Sequence, residues 1–263
     1  MFKEIIKFFR LVEQGKTLKD KFIILAYLFF RSPLNYLGRY KKHKLFGDVT
    51  VKNEDGTFFC GNNIFSVWCG SSFHEPDIKK YFKLKEGIFI DVGANIGKYS
   101  IIVGKELNNF GKVLSFEPMR ENFEILEKNI KLNNLNNVLS FELALGNKEG
   151  EATFYLDREG VGGGGHSLLK EAQTEKSGIV KVQVKKMDNL LNSLKLTRVD
   201  LIKIDVEGAE SEVLKGAKKT LKKFHPKIIF EAWDNNYLNK CLKILKPLKY
   251  HIKKISKDNY LAY

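Results

Sequence analysis

GIFIDVGANIGKYS, residues 87–100, is the stretch from which the fold is read. Gly87 to Ile90 runs apolar into an acid, Asp91, and two glycines follow, Gly93 and Gly97, with Asn95 between them. An apolar run of helical character, Ile101 to Leu107, comes next. This order of residues belongs to a buried strand, a tight turn and a helix start. Glycine removes the side chain where backbone must pass close to a ligand, or takes a positive φ. Asparagine is one of the few other residues that tolerate the left-handed region. The helix start then offers free N–H groups to an anionic group on a ligand. Dinucleotide-binding turns place G-x-G-x-x-G directly after the strand, whereas here the strand is followed by D-x-G-x-N-x-G. A strand, turn and helix without any ligand is the competing reading, and the downstream residues weigh against it.

Downstream the chain alternates. Ile88–Asp91, Lys112–Phe116, Val138–Glu142, Asp200–Asp205 and Lys227–Glu231 read as strands, with helices at about 99–107, 121–132, 209–224 and 237–245. Such alternation with short links predicts an α/β fold with a parallel, doubly wound sheet. His251–Ile255 and Tyr260–Tyr263, joined through Lys257-Asp258-Asn259, read as an antiparallel hairpin at one edge, which makes the sheet seven-stranded and mostly parallel. An insertion at about 146–198 interrupts the pattern with Ala152–Leu156 and Val180–Lys185, which alternate as strands do. Between them lies Gly160-Val161-Gly162-Gly163-Gly164-Gly165-His166-Ser167, too flexible for a core element. It reads as a mobile loop beside a site or as a hairpin tip.

Upstream, Met1–Val12 reads as an amphipathic helix. Val49–Val51, Phe58–Cys60 and Ile64–Trp68 read as short strands, and Pro76 precedes a helix at Asp77–Phe82. The boundary is drawn near residue 85, with a basic, aromatic-rich helical and short-strand extension at 1–85 and the main domain at 86–263.

A length of 263 residues suits one large α/β domain with an appendage, and a 43% hydrophobic share suffices for a core. Cys60, Cys69 and Cys241 show no C-x-x-C spacing, which argues against a disulfide framework or zinc site and for a reducing, cytoplasmic setting. No small-residue cleavage site follows an early apolar run, so no signal peptide is read. The longest apolar run, Phe22–Phe30, has nine residues, far short of the roughly 20 that span a bilayer.

The net charge of +14 sits at the two ends: residues 1–46 carry eleven Lys/Arg and three acids, and residues 240–263 carry seven Lys and one acid. Basic ends point to an anionic partner such as lipid headgroups, nucleic acid or an acidic glycan. A solvated face that keeps the protein soluble is the alternative. Phe22, Tyr27, Phe29, Phe30 and Tyr36, beside Arg31, Arg39, Lys41 and Lys42, lie in a membrane interface at its inner face, pack on the main domain or bind a partner.

Acids close four of the parallel strands: Asp91, Glu117, Asp205 and Glu231. Ligands of open α/β sheets bind at that edge. Glu117, twenty residues after Gly97, is placed to accept hydrogen bonds from ribose hydroxyls, which suits S-adenosylmethionine (SAM) and NAD alike. The D-x-G-x-N-x-G turn resembles the first motif of class I SAM methyltransferases, with Asn95 in place of the middle glycine. Asp200–Ala217 reads DLIKIDVEGAESEVLKGA, and with it the chain resembles the FkbM family of methyltransferases. DVGANIGKYS, FEP, Asn133-Asn134 at a helix end, ALGN followed by Gly150, and KIDVEGAE with VLKGA carry the resemblance over roughly residues 87–235.

The resemblance implies a class I methyltransferase fold and O-methylation of a hydroxyl on a sugar, glycan, lipid-linked saccharide or related metabolite. The cofactor-binding set it implies is Asp91, Gly93, Asn95, Gly97, Tyr99, Ser100, Glu117, Ala144 (against adenine) and Asp205. Methyl transfer from a sulfonium is an in-line displacement, so the protein must align an oxygen nucleophile and take its proton. Asp205, Glu207 and Glu231 are the expected catalytic acids, with His166 on the glycine loop as a second candidate base. The same three carboxylates are the oxygen ligands that Mg²⁺ would take. Glu207 has a second reading, as a carboxylate at the start of the following helix.

Three other functions compete. A nucleic-acid (RNA) methyltransferase suits the basic ends, but IDVEG stands where enzymes that methylate base amines carry N/D-P-P-Y/F. Asp234-Asn235-Asn236-Tyr237 follows the fifth strand and lacks prolines. An NAD-dependent oxidoreductase would carry G-x-G-x-x-G after the first strand. A non-catalytic basic membrane- or RNA-binding protein on a Rossmann-like core would have no use for Asp91, Gly93, Gly97 and Glu117 together.

Overall fold

The computed structural model describes residues 9–36, 44–157, 167–168 and 176–263, with backbone only for 28–36, 156–157 and 176–177. Residues 9–13 are helical, while the rest of the expected N-terminal helix lies outside the described residues. So do Gly160–His166, including the candidate base His166, and the side chains of Phe29, Phe30, Arg31 and Tyr36.

The chain opens with α1 (Leu18–Tyr36), a two-stranded antiparallel sheet of β1 (Lys44–Lys52) and β2 (Thr57–Asn63), and α2 (Ile64–Gly70). The main sheet is built from β3 (Gly87–Val92), β4 (Gly111–Phe116), β5 (Val138–Phe141), β9 (Leu201–Ile204), β10 (Lys227–Glu231), β11 (Ile252–Lys254) and β12 (Asn259–Ala262). Between β5 and β9 lies a second small sheet of β6 (Ala144–Leu145), β7 (Gly150–Asp157) and β8 (Lys176–Lys185). The remaining helices are α3 (Lys98–Leu107), α4 (Arg120–Leu132), α5 (Met187–Ser193), α6 (Glu210–Gly216), α7 (Lys218–Phe224) and α8 (Asn235–Leu245).

The seven strands run in the order β11-β12-β10-β9-β3-β4-β5. Five of them are parallel, and β12 enters antiparallel to β10 with β11 as its hairpin partner at the edge. This is the doubly wound, mostly parallel sheet expected from the alternation. Its two faces follow from the period of two along each strand. Phe89, Leu201 and Ile229 join a core with α3, α4 and the N-terminal segment, whereas Ile90, Ile202 and Phe230 join the core under α6, α7 and α8. The N-terminal segment packs in the first of these cores through Leu11, Ile24, Tyr27, Val49 and Phe58. No described helix is long and apolar enough to cross a membrane.

Three local expectations are corrected. Ile64–Trp68 is not a strand but part of α2: the Asn63 side chain caps it by accepting from the Phe65 amide at 2.8 Å, and Ser66, Val67 and Cys69 are buried. The β-branched and aromatic composition that suggested a strand is overridden by this cap and by packing. The helix at Asp77–Phe82 shortens to a 3₁₀ turn, Lys79–Phe82. The single helix at 209–224 divides into α6 and α7, because Ala217 leaves the helical region at φ −112°. Just before that break, Gly216 lets the Gly146 backbone come so close that a Cβ would stand 2.1 Å from its carbonyl oxygen.

The Asn-rich end of α4 has a structural reason. Asn129 bonds the backbone of Phe59 through both its oxygen (2.6 Å) and its amide (3.1 Å), and Asn133 does the same to Thr57 (2.9 and 2.7 Å). Two side-chain amides thus stand in for strand partners along the edge of β2 and hold the extension against the main sheet.

Candidate active site

The carboxyl ends of β3, β4, β9 and β10 open on a cavity of about 260 Å³. Gly93, Asn95, Tyr99, Glu117 and Ala144 of the expected cofactor set line it, as do Asp205, Glu207 and Glu231. Asp91, Gly97 and Ser100 are not among its lining residues, and their part is to shape the wall. Asp91 is fully buried and accepts from Ser100 Oγ at 2.6 Å, and Ser100 Oγ lies 2.7 Å from Ser115 Oγ. Gly97 (φ 90°) starts α3, and Leu126 Cδ1 stands 2.5 Å from where its Cβ would be.

The turn is drawn onto β4. The amides of Gly93 and Ala94 both donate to the Phe116 carbonyl at 3.0 Å. Asn95 takes the left-handed conformation (φ 51°) that its sequence position predicted, and its amide donates to Glu117 Oε2 at 2.8 Å. The other oxygen, Glu117 Oε1, accepts from the Met119 amide at 3.0 Å. Burial raises the Glu117 pKa to about 7, although these hydrogen bonds favour the carboxylate.

Opposite in sequence but adjacent in space are three carboxylates. Oxygens of Asp205, Glu207 and Glu231 lie within 4.8 Å of one another. Burial, then Asp205 and Glu231, hold the Glu207 pKa well above the ordinary value. Burial, followed by Asp205, pushes Glu231 up to about 9, while Trp233 Nε1 donates to Glu231 Oε2 at 2.7 Å. Burial and mutual repulsion therefore favour the protonated forms of Glu207 and Glu231. Glu207 is not the helix-start carboxylate: α6 begins at Glu210, whose Oε1 accepts from the amides of Val206 and Gly208 at 3.1 Å each. Glu207 sits in the preceding turn at φ 54°, a sparsely populated conformation for a glutamate.

Several residues of the site escaped the sequence reading. Lys203 is buried, lines the cavity and meets Asp205 Oδ2 at 2.9 Å, with its ammonium 5.0 Å from the centre of the Tyr99 ring. Burial works against its charge, but Asp205 and Asp91 outweigh burial and raise its pKa. Lys98 Nζ donates to the carbonyls of Ser71 (2.6 Å) and His74 (2.9 Å), pinning that loop at the cavity. Glu75 (φ 49°) accepts from Tyr99 Oη at 2.8 Å and from Asn259 Nδ2 at 3.1 Å, and both His74 and Glu75 line the cavity. Burial, followed by Lys98 and Lys203, lowers His74 to about 3, so its ring is neutral. The only sequence cue was alternation: Lys203 breaks an apolar strand, LIKI, where a charge needs a partner.

A family model described as the Methyltransferase FkbM domain matches residues 91–252. Methyltransferase sdnD of Sordaria araneosa is 30% identical over 171 residues, covering 55% of this chain and 66% of that protein. Methyltransferase 1 of Beauveria bassiana is 28% identical over 150 residues, 50% of this chain and 58% of that protein. Hexuronic acid methyltransferase AglP of Haloferax volcanii is 28% identical over 137 residues, 52% of each chain. The chain thus spans roughly half to two-thirds of the length of these three relatives.

Proposed function

Because this chain belongs to the FkbM methyltransferase family, we propose that it is a SAM-dependent methyltransferase that methylates a hydroxyl of a sugar, glycan, lipid-linked saccharide or related metabolite. The observation that carries the cofactor is Glu117, held by the Asn95 amide beside a glycine turn and lining the cavity. Gly93, Asn95, Tyr99, Glu117 and Ala144 would hold the cofactor. When bound, it supplies a methyl group on a cationic sulfur. The carboxylates near it favour that positive charge where water is excluded.

The acceptor side is read from Asp205, Glu207 and Glu231. An acceptor hydroxyl that takes the methyl must lose its proton, and a deprotonated member of this trio would take it. Mutual repulsion makes such a member a stronger base than an isolated carboxylate. Lys203, 2.9 Å from Asp205 Oδ2, holds that side chain in place. The named activity of AglP toward a hexuronic acid supports a sugar as acceptor.

A second part of the proposal is peripheral contact of residues 1–46 with an anionic membrane. Leu18 and Phe22, one turn apart on α1, are 86% and 69% exposed near exposed Lys16 and Lys19. Ile23, Ile24 and Tyr27 of the same helix are buried, so only one side of α1 is available. Three free, buried cysteines suit a reducing, cytoplasmic setting.

The test is calorimetric titration with S-adenosylhomocysteine (SAH) and with NAD⁺, followed by transfer of labelled methyl from SAM to a panel of methyl glycosides, with and without EDTA. Binding of SAH and not NAD⁺, with label in a glycoside, is expected. Absence of SAH binding by folded protein would sink the reading. Loss of transfer in EDTA, restored by added Mg²⁺, would show that a divalent cation takes part in transfer.

A further inference from the structure

We propose that Trp233 is an acceptor-binding residue: the C–H face of an acceptor sugar stacks on its exposed indole, which turns the sugar's hydroxyls toward Glu231. The inference rests on the reading of the acceptor as a saccharide and goes beyond it in naming the group that recognises the ring.

Trp233 follows β10 at the end where the three carboxylates gather, and it is 36% exposed. Exposure of one apolar side chain is ordinary and by itself signals nothing. Here the ring is also held. Its Nε1 donates to Glu231 Oε2 at 2.7 Å, and the Tyr237 ring meets it edge to face, with centres 5.2 Å apart and planes at 67°. The indole is thus fixed before anything binds, and a ligand that covers it costs little side-chain entropy.

The position of the ring argues for its occupant. Glu231 lines the cavity that holds Asp205 and Glu207, and it also lines a second cavity of about 250 Å³ that reaches the turn at 256–259. That turn is tied to the base of Trp233, since the Ala232 amide donates to the Asp258 carbonyl at 2.8 Å. Among the described residues, the lining of the second cavity is polar or charged apart from Ile78. A fixed aromatic surface therefore stands beside carboxylates and other hydrogen-bonding groups. A hexopyranose has the matching duality. One face carries C–H groups, which the negative face of an aromatic ring attracts, and its rim carries hydroxyls, which donate to carboxylates. A wholly apolar ligand would leave those carboxylates without partners.

The experiment is calorimetric titration of SAH-loaded protein with methyl glycosides of hexoses and hexuronic acids, and with tetramethylammonium, for wild type, Trp233→Phe and Trp233→Leu. Both variants lose the bond to Glu231, and only phenylalanine keeps an aromatic face. Wild type is expected to bind at least one glycoside, and Trp233→Phe to hold most of that affinity. Trp233→Leu is expected to weaken it about tenfold or more, given the apolar contact area lost. Indole emission should change on binding in wild type and not in Trp233→Phe, where Trp68 is the remaining tryptophan. Equal losses in the two variants would overturn the proposal, since Trp233 would then only hold Glu231 in place. Equal affinity in wild type and Trp233→Leu would overturn it too, while leaving the saccharide reading intact. Tighter binding of tetramethylammonium than of any glycoside would assign the ring to a cation instead. Binding of no glycoside at all would sink the saccharide reading, and this inference with it.

Discussion

A Cβ added to Gly93 would stand 1.9 Å from the carbonyl oxygen of Asp205, so the first turn of the sheet and the end of β9 meet backbone to backbone. The glycine is needed twice over, for this approach and for its φ of 79°. The two nearest atoms, the Asp205 carbonyl oxygen and carbon, are backbone and cannot move aside as a side chain would. Gly93→Ala should therefore cost more than about 3 kcal/mol of stability and abolish SAH binding. Gly150→Ala is the control, since Gly150 also has a positive φ (118°) but nothing within 4 Å of its added Cβ. It should lose only about 1–2 kcal/mol. Urea denaturation of the two variants gives the comparison, and equal losses would contradict the assignment.

Glu117 has its pKa raised to about 7 by burial. Hydrogen bonds from a ribose favour the ionised form, so SAH affinity should fall as pH drops below about 7. Glu117→Gln should bind more weakly at pH 8 by about tenfold or more and lose this pH dependence. Titrations between pH 6 and 8 test it, and a flat wild-type profile would count against ribose binding by Glu117.

Asp205 cannot be removed without consequence for the fold. Its partner Lys203 is 4% exposed, and truncation would leave a buried ammonium with less compensation. Asp205→Ala should lose about 2–4 kcal/mol, and adding Lys203→Met should restore most of it. Methyl transfer should stay absent in both proteins. Recovery of transfer in the folded double variant would rule out Asp205 as a catalytic group.

Glu231 makes stability depend on pH. Its folded pKa, about 9, lies above the ordinary carboxylate value of 4.5. A raised acid contributes stability that is fully present below the unfolded pKa and is lost as pH rises through the folded one. Wild type should therefore lose stability relative to Glu231→Gln between about pH 4.5 and 9. Thermal melts of both proteins across that range check the sign, and a wild type that gains stability relative to Glu231→Gln as pH rises would contradict it.

The exposed side of α1 makes a separate prediction. Wild-type protein should co-sediment with vesicles containing phosphatidylglycerol at low salt, and Leu18→Ser with Phe22→Ser should weaken this about tenfold or more, given the apolar area withdrawn from lipid. No sedimentation of the wild type would end the membrane proposal without touching the enzymatic one.

Much of the sheet was legible because buried parallel strands are short apolar runs, and the turn between β3 and α3 announces itself through Gly93, Asn95 and Gly97. Ile64–Trp68 was misread because strand-like composition does not reveal the Asn63 cap. The break at Ala217 was invisible because Gly146, the residue that comes close to Gly216, is about 70 positions away.

What the sequence determined by itself was the order of strands and helices, the acid at the end of each of four strands, and the glycine turn. These depend on local periodicity and backbone preference, which neighbouring residues impose on one another. Only the tertiary structure decided which groups share a cavity. It set Lys203 against Asp205, brought Glu231 to Glu207, bonded Tyr99 to Glu75 and placed His74 along the same cavity. Burial and charge at those positions come from residues distant in sequence, and the ionisation of each acid follows from that company rather than from its own type.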